Sequence, residues 1–239
     1  MPQKGRFATL TSWSYSVYHT YCECPFKVCL DKIQRVRIIE PPNEHFIKGD
    51  RIHKSAEIQI GGRGRLPKPE PELVTVSDLL RDLRRRKARV ELEWAFDRAW
   101  NPVSWHADTA WLRIKTDACA DSTDPPEVDI IDWKTGRVYP DHAQQRSLYA
   151  LGGLRLVQLG ELAGGSKDTQ LTARHIYVDT GLKATEKYAM CSLEPLKREW
   201  LARIKKMMTD TRFEATPSQR ACRYCKFNAK AGGPCREGL

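Results

Sequence analysis

Apolar positions near the start of the chain recur at roughly helical spacing. Between Thr11 and Ile33 they are Trp13, Val17, Tyr18, Tyr21, Phe26 and Leu30, with Ser12 and Ser14 as candidate caps and Pro25 as an interruption. This pattern predicts two short helices or one broken one. Lys48 to Ile60 predicts a second helix, closed by Gly61-Gly62-Arg63-Gly64 and a proline-rich loop from Leu66 to Pro71. Ser77 would cap a third helix running through Arg89. The pattern then changes: Val90 to Phe96, Thr109 to Lys115 and Val128 to Trp133 have strand composition, separated by turn-like segments. A helix over Asp141 to Leu159 follows, then a turn at Gly164-Gly165-Ser166, strands over Leu171 to Val178 and Glu186 to Cys191, and a basic amphipathic helix over Leu193 to Met208. Helices, then a sheet with a helix inserted before its last strands, predict an α/β or α+β fold. With 239 residues, one domain is expected. It has a mainly helical part at 1–90, a sheet core at 91–191, and a C-terminal helix with a cysteine cluster at 192–239.

Charge adds a partner class. Lys and Arg number 40 against 30 Asp and Glu, a formal net charge of +10, and the basic residues are spread along the chain. Such a surface suits polyanions, nucleic acid above all, although an anionic membrane or plain solubility would also account for it. No apolar window is long enough to span a membrane, and Met1 to Leu10 lacks the apolar core of a signal peptide. A soluble, cytoplasmic protein is expected. In that compartment the eight cysteines are more suited to metals than to disulfides.

The most informative segment is Val128-Asp129-Ile130-Ile131-Asp132-Trp133-Lys134-Thr135-Gly136. In a strand, Ile130, Asp132 and Lys134 share one face. A carboxylate and an ammonium would then stand side by side next to two isoleucines, a burial cost that functional sites accept. Phosphodiester hydrolysis needs a hard divalent cation, and carboxylates suit Mg²⁺ or Mn²⁺. Asp117, ending the preceding strand candidate Trp111 to Thr116, would lie beside Asp132 if the two strands neighbour each other across Ala118 to Glu127. Lys134 would position the nucleophile or stabilise negative charge. Asp-x-Lys alone is also what a solvated strand edge looks like, and a lone His53 is more often a surface or core residue. The order of the pieces along the chain gives them weight.

In that order, Asp117, Asp132-Trp133-Lys134-Thr135-Gly136 and Gln145-x3-Tyr149-Ala150 resemble the RecB-type branch of the PD-(D/E)xK nucleases, which includes CRISPR-adaptation nucleases and phage exonucleases. Gly49-x3-His53 fits the same pattern. The resemblance implies a restriction-endonuclease-like core, a central mixed sheet flanked by helices. It implies Mg²⁺ or Mn²⁺ held by His53, Asp117, Asp132 and the main-chain carbonyl of Trp133, and Lys134 assisting the attacking water. Gln145 and Tyr149 would orient the lysine or contact DNA. The activity implied is a DNA nuclease acting on single-stranded ends as an exonuclease, in DNA recombination or repair. No helicase motif is present, so a helicase or recombination partner would be a separate chain. The alternative is a non-catalytic nucleic-acid-binding module with a structural metal site.

Cys222-Arg-Tyr-Cys225 followed by Cys235 has metal-ligand spacing. Similarity to iron–sulfur members of the branch implies a [4Fe–4S] cluster on Cys24, Cys222, Cys225 and Cys235, with Cys24 in a Cys-Pro context. Cys22 or Cys29 remains an alternative to Cys24, and a Cys₄ Zn²⁺ site remains an alternative to the cluster. Cys119 and Cys191 read as small buried apolar residues. Trp13, Tyr15, Tyr18 and Tyr21 read as core more readily than as a base-stacking platform, and the runs Arg81 to Arg89 and Lys197 to Lys206 as either a DNA channel or solvated helix faces.

Overall fold

The computed structural model describes residues 6–39 and 43–239; Met1 to Gly5, the start of the stretch read for a leader, lie outside them. Its helices are α1 (Tyr15–Glu23), α2 (Pro25–Val28), α3 (Glu44–Gly61), α4 (Ser77–Arg85), α5 (His142–Gln158), α6 (Leu193–Thr209) and α7 (Gln219–Arg223). The strand-forming runs become β1 (Arg89–Phe96), β2 (Pro102–Val103), β3 (Leu112–Thr123), β4 (Pro126–Lys134), β5 (Gln170–Tyr177) and β6 (Leu182–Ala189). They pair in the order β2-β1-β3-β4-β5-β6. All neighbours are antiparallel except β4 and β5. Their parallel pairing needs a crossover, which α5 supplies. This is the α/β, restriction-endonuclease-like core, a mixed sheet flanked by helices, that the resemblance implies.

The chain divides into two compact units, Pro42–Glu199 and the paired termini Met1–Pro41 with Trp200–Leu239. In the larger unit one sheet face is closed by α3 and α4. Ile52, Ala56, Ile60, Leu80 and Leu83 pack with Ala118, Ala120, Ile131, Trp133 and Ile176. The other face takes α5, whose Gly152 and Gly153 let the helix backbone lie close to the strands. A Cβ at Gly153 would fall 2.6 Å from Leu171 Cδ1 and 2.9 Å from Ile130 Cδ1. Gly153→Val should therefore lower unfolding free energy by about 1–3 kcal/mol; a chemical denaturation curve matching wild type would contradict this packing.

The terminal unit explains the aromatic stripe. Trp13 stacks on Trp200 at 5.7 Å, Tyr18 meets Trp200 edge-on at 5.4 Å, and Tyr21 meets Phe213 at 6.2 Å while its hydroxyl donates to Asp210 Oδ2 at 2.7 Å. Trp13, Tyr18 and Tyr21 are buried, so these three rings are core and not a free stacking surface.

Several boundaries differ from the sequence expectation. The third helix stops at Arg85, because Lys87 adopts a left-handed backbone (φ 55°) and the chain enters β1 at Arg89. Ala118 to Glu127 is not a connection: β3 and β4 run on as a hairpin paired out to Thr123↔Pro126. Its polar Asp121, Ser122 and Asp124 look like a loop, yet Asp121 is held by Arg89 at 3.0 Å and by the backbone N–H of Ala163. Asp117 thus lies inside β3, not at its end. The last strand spans Leu182–Ala189, and Met190–Ser192 is a 3₁₀ turn, so Cys191 is exposed and not a buried apolar residue.

Candidate active site

Asp117 sits where the β3 strand changes face. Ala118 and Ala120 belong to the α3/α4 core, but Ile114, an even number of positions away, lies against Gly152 of α5. Strict alternation would put all three on one side. The partner strand carries the matching distortion at Glu91, which has a left-handed φ of 51° and stands across from Asp117 between the pairs Val90↔Ala118 and Leu92↔Thr116. On the other edge of β3, the ladder to β4 ends at Ala118↔Ile131. One step beyond, the Asp117 carboxylate takes over, accepting the backbone N–H of Trp133 at Oδ2 (2.6 Å). Its other oxygen lies 3.1 Å from Nδ1 of His53 on α3.

Asp132 and Lys134 share a face of β4 and form an ion pair at 2.6 Å. Gln145 and Tyr149, one helical turn apart on α5, complete a ring of contacts. Lys134 Nζ donates to Gln145 Oε1 (2.9 Å), Gln145 Nε2 to the Tyr149 hydroxyl (2.6 Å), and that hydroxyl to Asp132 Oδ1 (2.6 Å). The lysine is therefore fixed from two sides by residues that are themselves fixed. Asp129, on the opposite face, is a structural acid, buried and paired with Arg86 at 3.1 Å and Arg174 at 2.9 Å.

The site sets two interacting buried acids beside a lysine and an imidazole. Burial, and then the charge of Asp132, push the Asp117 carboxyl above its ordinary range, against the pull of His53 and the Trp133 N–H. Burial would likewise raise Asp132, but the Lys134 ammonium overrides it and holds that acid low. Burial acts to depress His53, and the adjoining Asp117 reverses this, so the imidazole is net raised. Two neighbouring buried acids of this kind favour an added positive charge.

Among the described residues, one group of three donors has its ligand atoms all within 4.8 Å of one another: His53, Glu91 and Asp117. The family resemblance implies His53 and Asp117 as ligands. It did not point to Glu91, which carries an ion pair to Lys115 at 2.6 Å and lines the same open cleft as His45, Phe46, His53, Asp117 and Thr135. Asp132 is not in that group of three; its carboxylate is engaged by Lys134 and Tyr149. Imidazole with carboxylates is a donor set that Mg²⁺ or, more readily, Mn²⁺ accepts.

In the terminal unit, Cys24, Cys222, Cys225 and Cys235 line one cavity together with Phe26, Leu30, Ala221 and Phe227. Cys235 is brought back to the Cys222–Cys225 turn by backbone bonds from its N–H to Phe227 O (2.8 Å) and from Ala229 N–H to its carbonyl (2.9 Å). Burial, and then the sulfurs of Cys225, Cys24 and Cys222, push its thiol up. Cys29 is fully buried elsewhere, its thiol pushed up to about 11 by burial, and Cys22 is exposed. Of the arginines of the Arg81 to Arg89 run, Arg81 pairs with Asp78, Arg85 with Asp82, and Arg86 with Asp129, so much of that charge is spent within the fold.

Comparison with known proteins gives the class. The family model of the PD-(D/E)XK nuclease superfamily matches residues 12–229, and the chain belongs to that superfamily. A search of curated proteins finds no match. A solved structure, "Crystal structure of SSO0001", is similar at 14% identity over 97% of this chain and 89% of its own, with a TM-score of 0.41. No helix among the described residues is long and apolar enough to cross a membrane.

Proposed function

We propose that the chain is a Mg²⁺- or Mn²⁺-dependent deoxyribonuclease that shortens single-stranded DNA from its ends. The observation that carries this reading is the meeting of His53, Glu91 and Asp117 in one open cleft, beside an Asp132–Lys134 pair held rigid by Gln145 and Tyr149. His53, Asp117, Asp132 and the Trp133 carbonyl would hold the cation. A divalent ion there would neutralise charge on the phosphate and lower the pKa of an attacking water. Lys134 orients that water and stabilises the negative charge that grows on the phosphate as the bond breaks. Gln145 and Tyr149 keep the lysine and Asp132 in place without reorganisation. The net charge of +10 favours a polyanionic substrate.

End-labelled linear single strands, a circular single strand and duplex DNA, each incubated with protein and Mn²⁺, test the mode. Loss of the linear strand with the circle intact is expected; cutting of the circle at a similar rate would make the enzyme an endonuclease. Membership of the RecB-type branch, with action alongside a helicase or recombination partner, belongs to the same proposal. It is supported by the order Gly-x3-His, Asp, Asp-x-Lys, Gln-x3-Tyr along the chain.

The proposal extends to the terminal unit, where Cys24, Cys222, Cys225 and Cys235 would hold a [4Fe–4S] cluster. Four thiols lining one cavity, with three of them near enough to act on the fourth, suit a thiolate-bound metal centre. Protein purified without oxygen should be brown with broad visible absorption. A colourless protein containing zinc would assign the site to Zn²⁺ instead.

A further inference from the structure

His175 stands beside Asp132 in the parallel β4/β5 ladder and is completely buried. Its Nδ1 lies 3.3 Å from Nη1 of Arg146. A guanidinium can only donate, so Nδ1 must present its lone pair, and a neutral ring then carries its hydrogen on Nε2. A second hydrogen on Nδ1 would point at the guanidinium, so the contact with Arg146 favours the neutral ring. Nε2 is a buried atom with no hydrogen bond among the described residues. It lies 3.9 Å from Asp132 Oδ2, the oxygen that Lys134 also reaches. Arg146 is itself buried and anchored, donating from Nη2 to Glu186 Oε1 at 2.8 Å. Glu186 on β6, Arg146 on α5 and His175 on β5 thus form a line of polar groups that ends on one side of the Asp132 carboxylate.

We infer that His175 is a positioning residue for Asp132, its Nε2–H fixed toward Oδ2 by Arg146, so that the carboxylate is held where it can serve a divalent cation; this rests on the reading of Asp132 as a metal ligand. A shift of about 1 Å brings the two atoms within hydrogen-bond range. Groups that hold a ligating carboxylate from behind affect metal affinity by about 10–100-fold when removed.

Manganese binding by the full-length protein, read from the electron paramagnetic resonance of free Mn²⁺, tests this without reference to activity. His175→Leu should weaken binding about 10–100-fold. His175→Gln, which can keep a donor near the Nε2 position, should recover most of the loss. Wild-type affinity in His175→Leu, or a glutamine variant no better than leucine, would overturn the inference. Asp132→Asn is the control that separates the two readings. If it binds Mn²⁺ as wild type does, the site reading itself falls; if it is weakened while His175→Leu is not, only the role of His175 falls. Because either His175 variant could lose its fold, the metal-free wild-type protein carries a second test. Long-range ¹H–¹⁵N spectra of histidine-labelled protein should show a neutral Nε2–H tautomer for His175 at neutral pH. An Nδ1–H tautomer or a charged ring would overturn the proposal.

Discussion

Lys134→Met is expected to slow DNA cleavage by roughly 10²–10⁴-fold while Mn²⁺ binding stays near the wild-type value. The side chain is a cation that the β4 strand, Gln145 and Asp132 together hold beside the site. Its loss removes charge stabilisation and water orientation but no metal donor. Arginine should not rescue it, since a planar fork cannot occupy the place of a compact ammonium contacted at 2.6 and 2.9 Å. Gln145→Ala and Tyr149→Phe remove only a support each, and smaller losses are expected. Single-turnover cleavage measured beside Mn²⁺ affinity separates these cases. A lysine variant that cuts at near the wild-type rate, or one that loses the metal as well, would contradict the role given to Lys134.

The second large effect is expected from Cys225→Ser. If the four cysteines hold one metal centre, it ties Cys24 to Cys222 across most of the chain's length. Opening that closure should cost about 4–5 kcal/mol from chain entropy alone. Metal content should fall, and amides around Cys222–Cys235 should lose hydrogen-exchange protection more than those of β3 and β4. Cys119→Ser is the comparison: Cys119 lies buried in the sheet, its thiol pushed up to about 12 by burial, and it should leave metal content unchanged. Unchanged metal content in Cys225→Ser would contradict a shared centre.

Much of the fold can be read from the sequence because the code there is local. Strand composition marked β1, β4 and β5 within two residues, and helical spacing with Pro25 marked the break between α1 and α2. Asp132 and Lys134 stand out because charged groups beside Ile130 and Ile131 break an apolar run, and Asp117 because it follows the strand-forming run Trp111 to Thr116. What escaped was set by pairing across the sheet. Asp117 reads as a strand end because Asp121, Ser122 and Asp124 look like a turn, although partners on β1 and near α5 hold Asp121 in the strand. Glu91 looks like any alternating polar position of a strand, and only the ladder sets it across from Asp117. His175 likewise looks like an ordinary position in a strand; its meaning comes from β5 lying parallel to β4, a relation that no local pattern encodes.

The central claim is that His53, Glu91, Asp117 and Asp132 surround one cation-dependent cutting centre. It is tested most directly by incubating end-labelled single-stranded DNA with wild-type and Asp117→Asn protein, with Mn²⁺ and with a chelator. The expected result is shortening of the strand by wild-type protein with Mn²⁺, and an intact strand with chelator or with the asparagine variant. Equal cutting by both proteins, or cutting that survives the chelator, would contradict it.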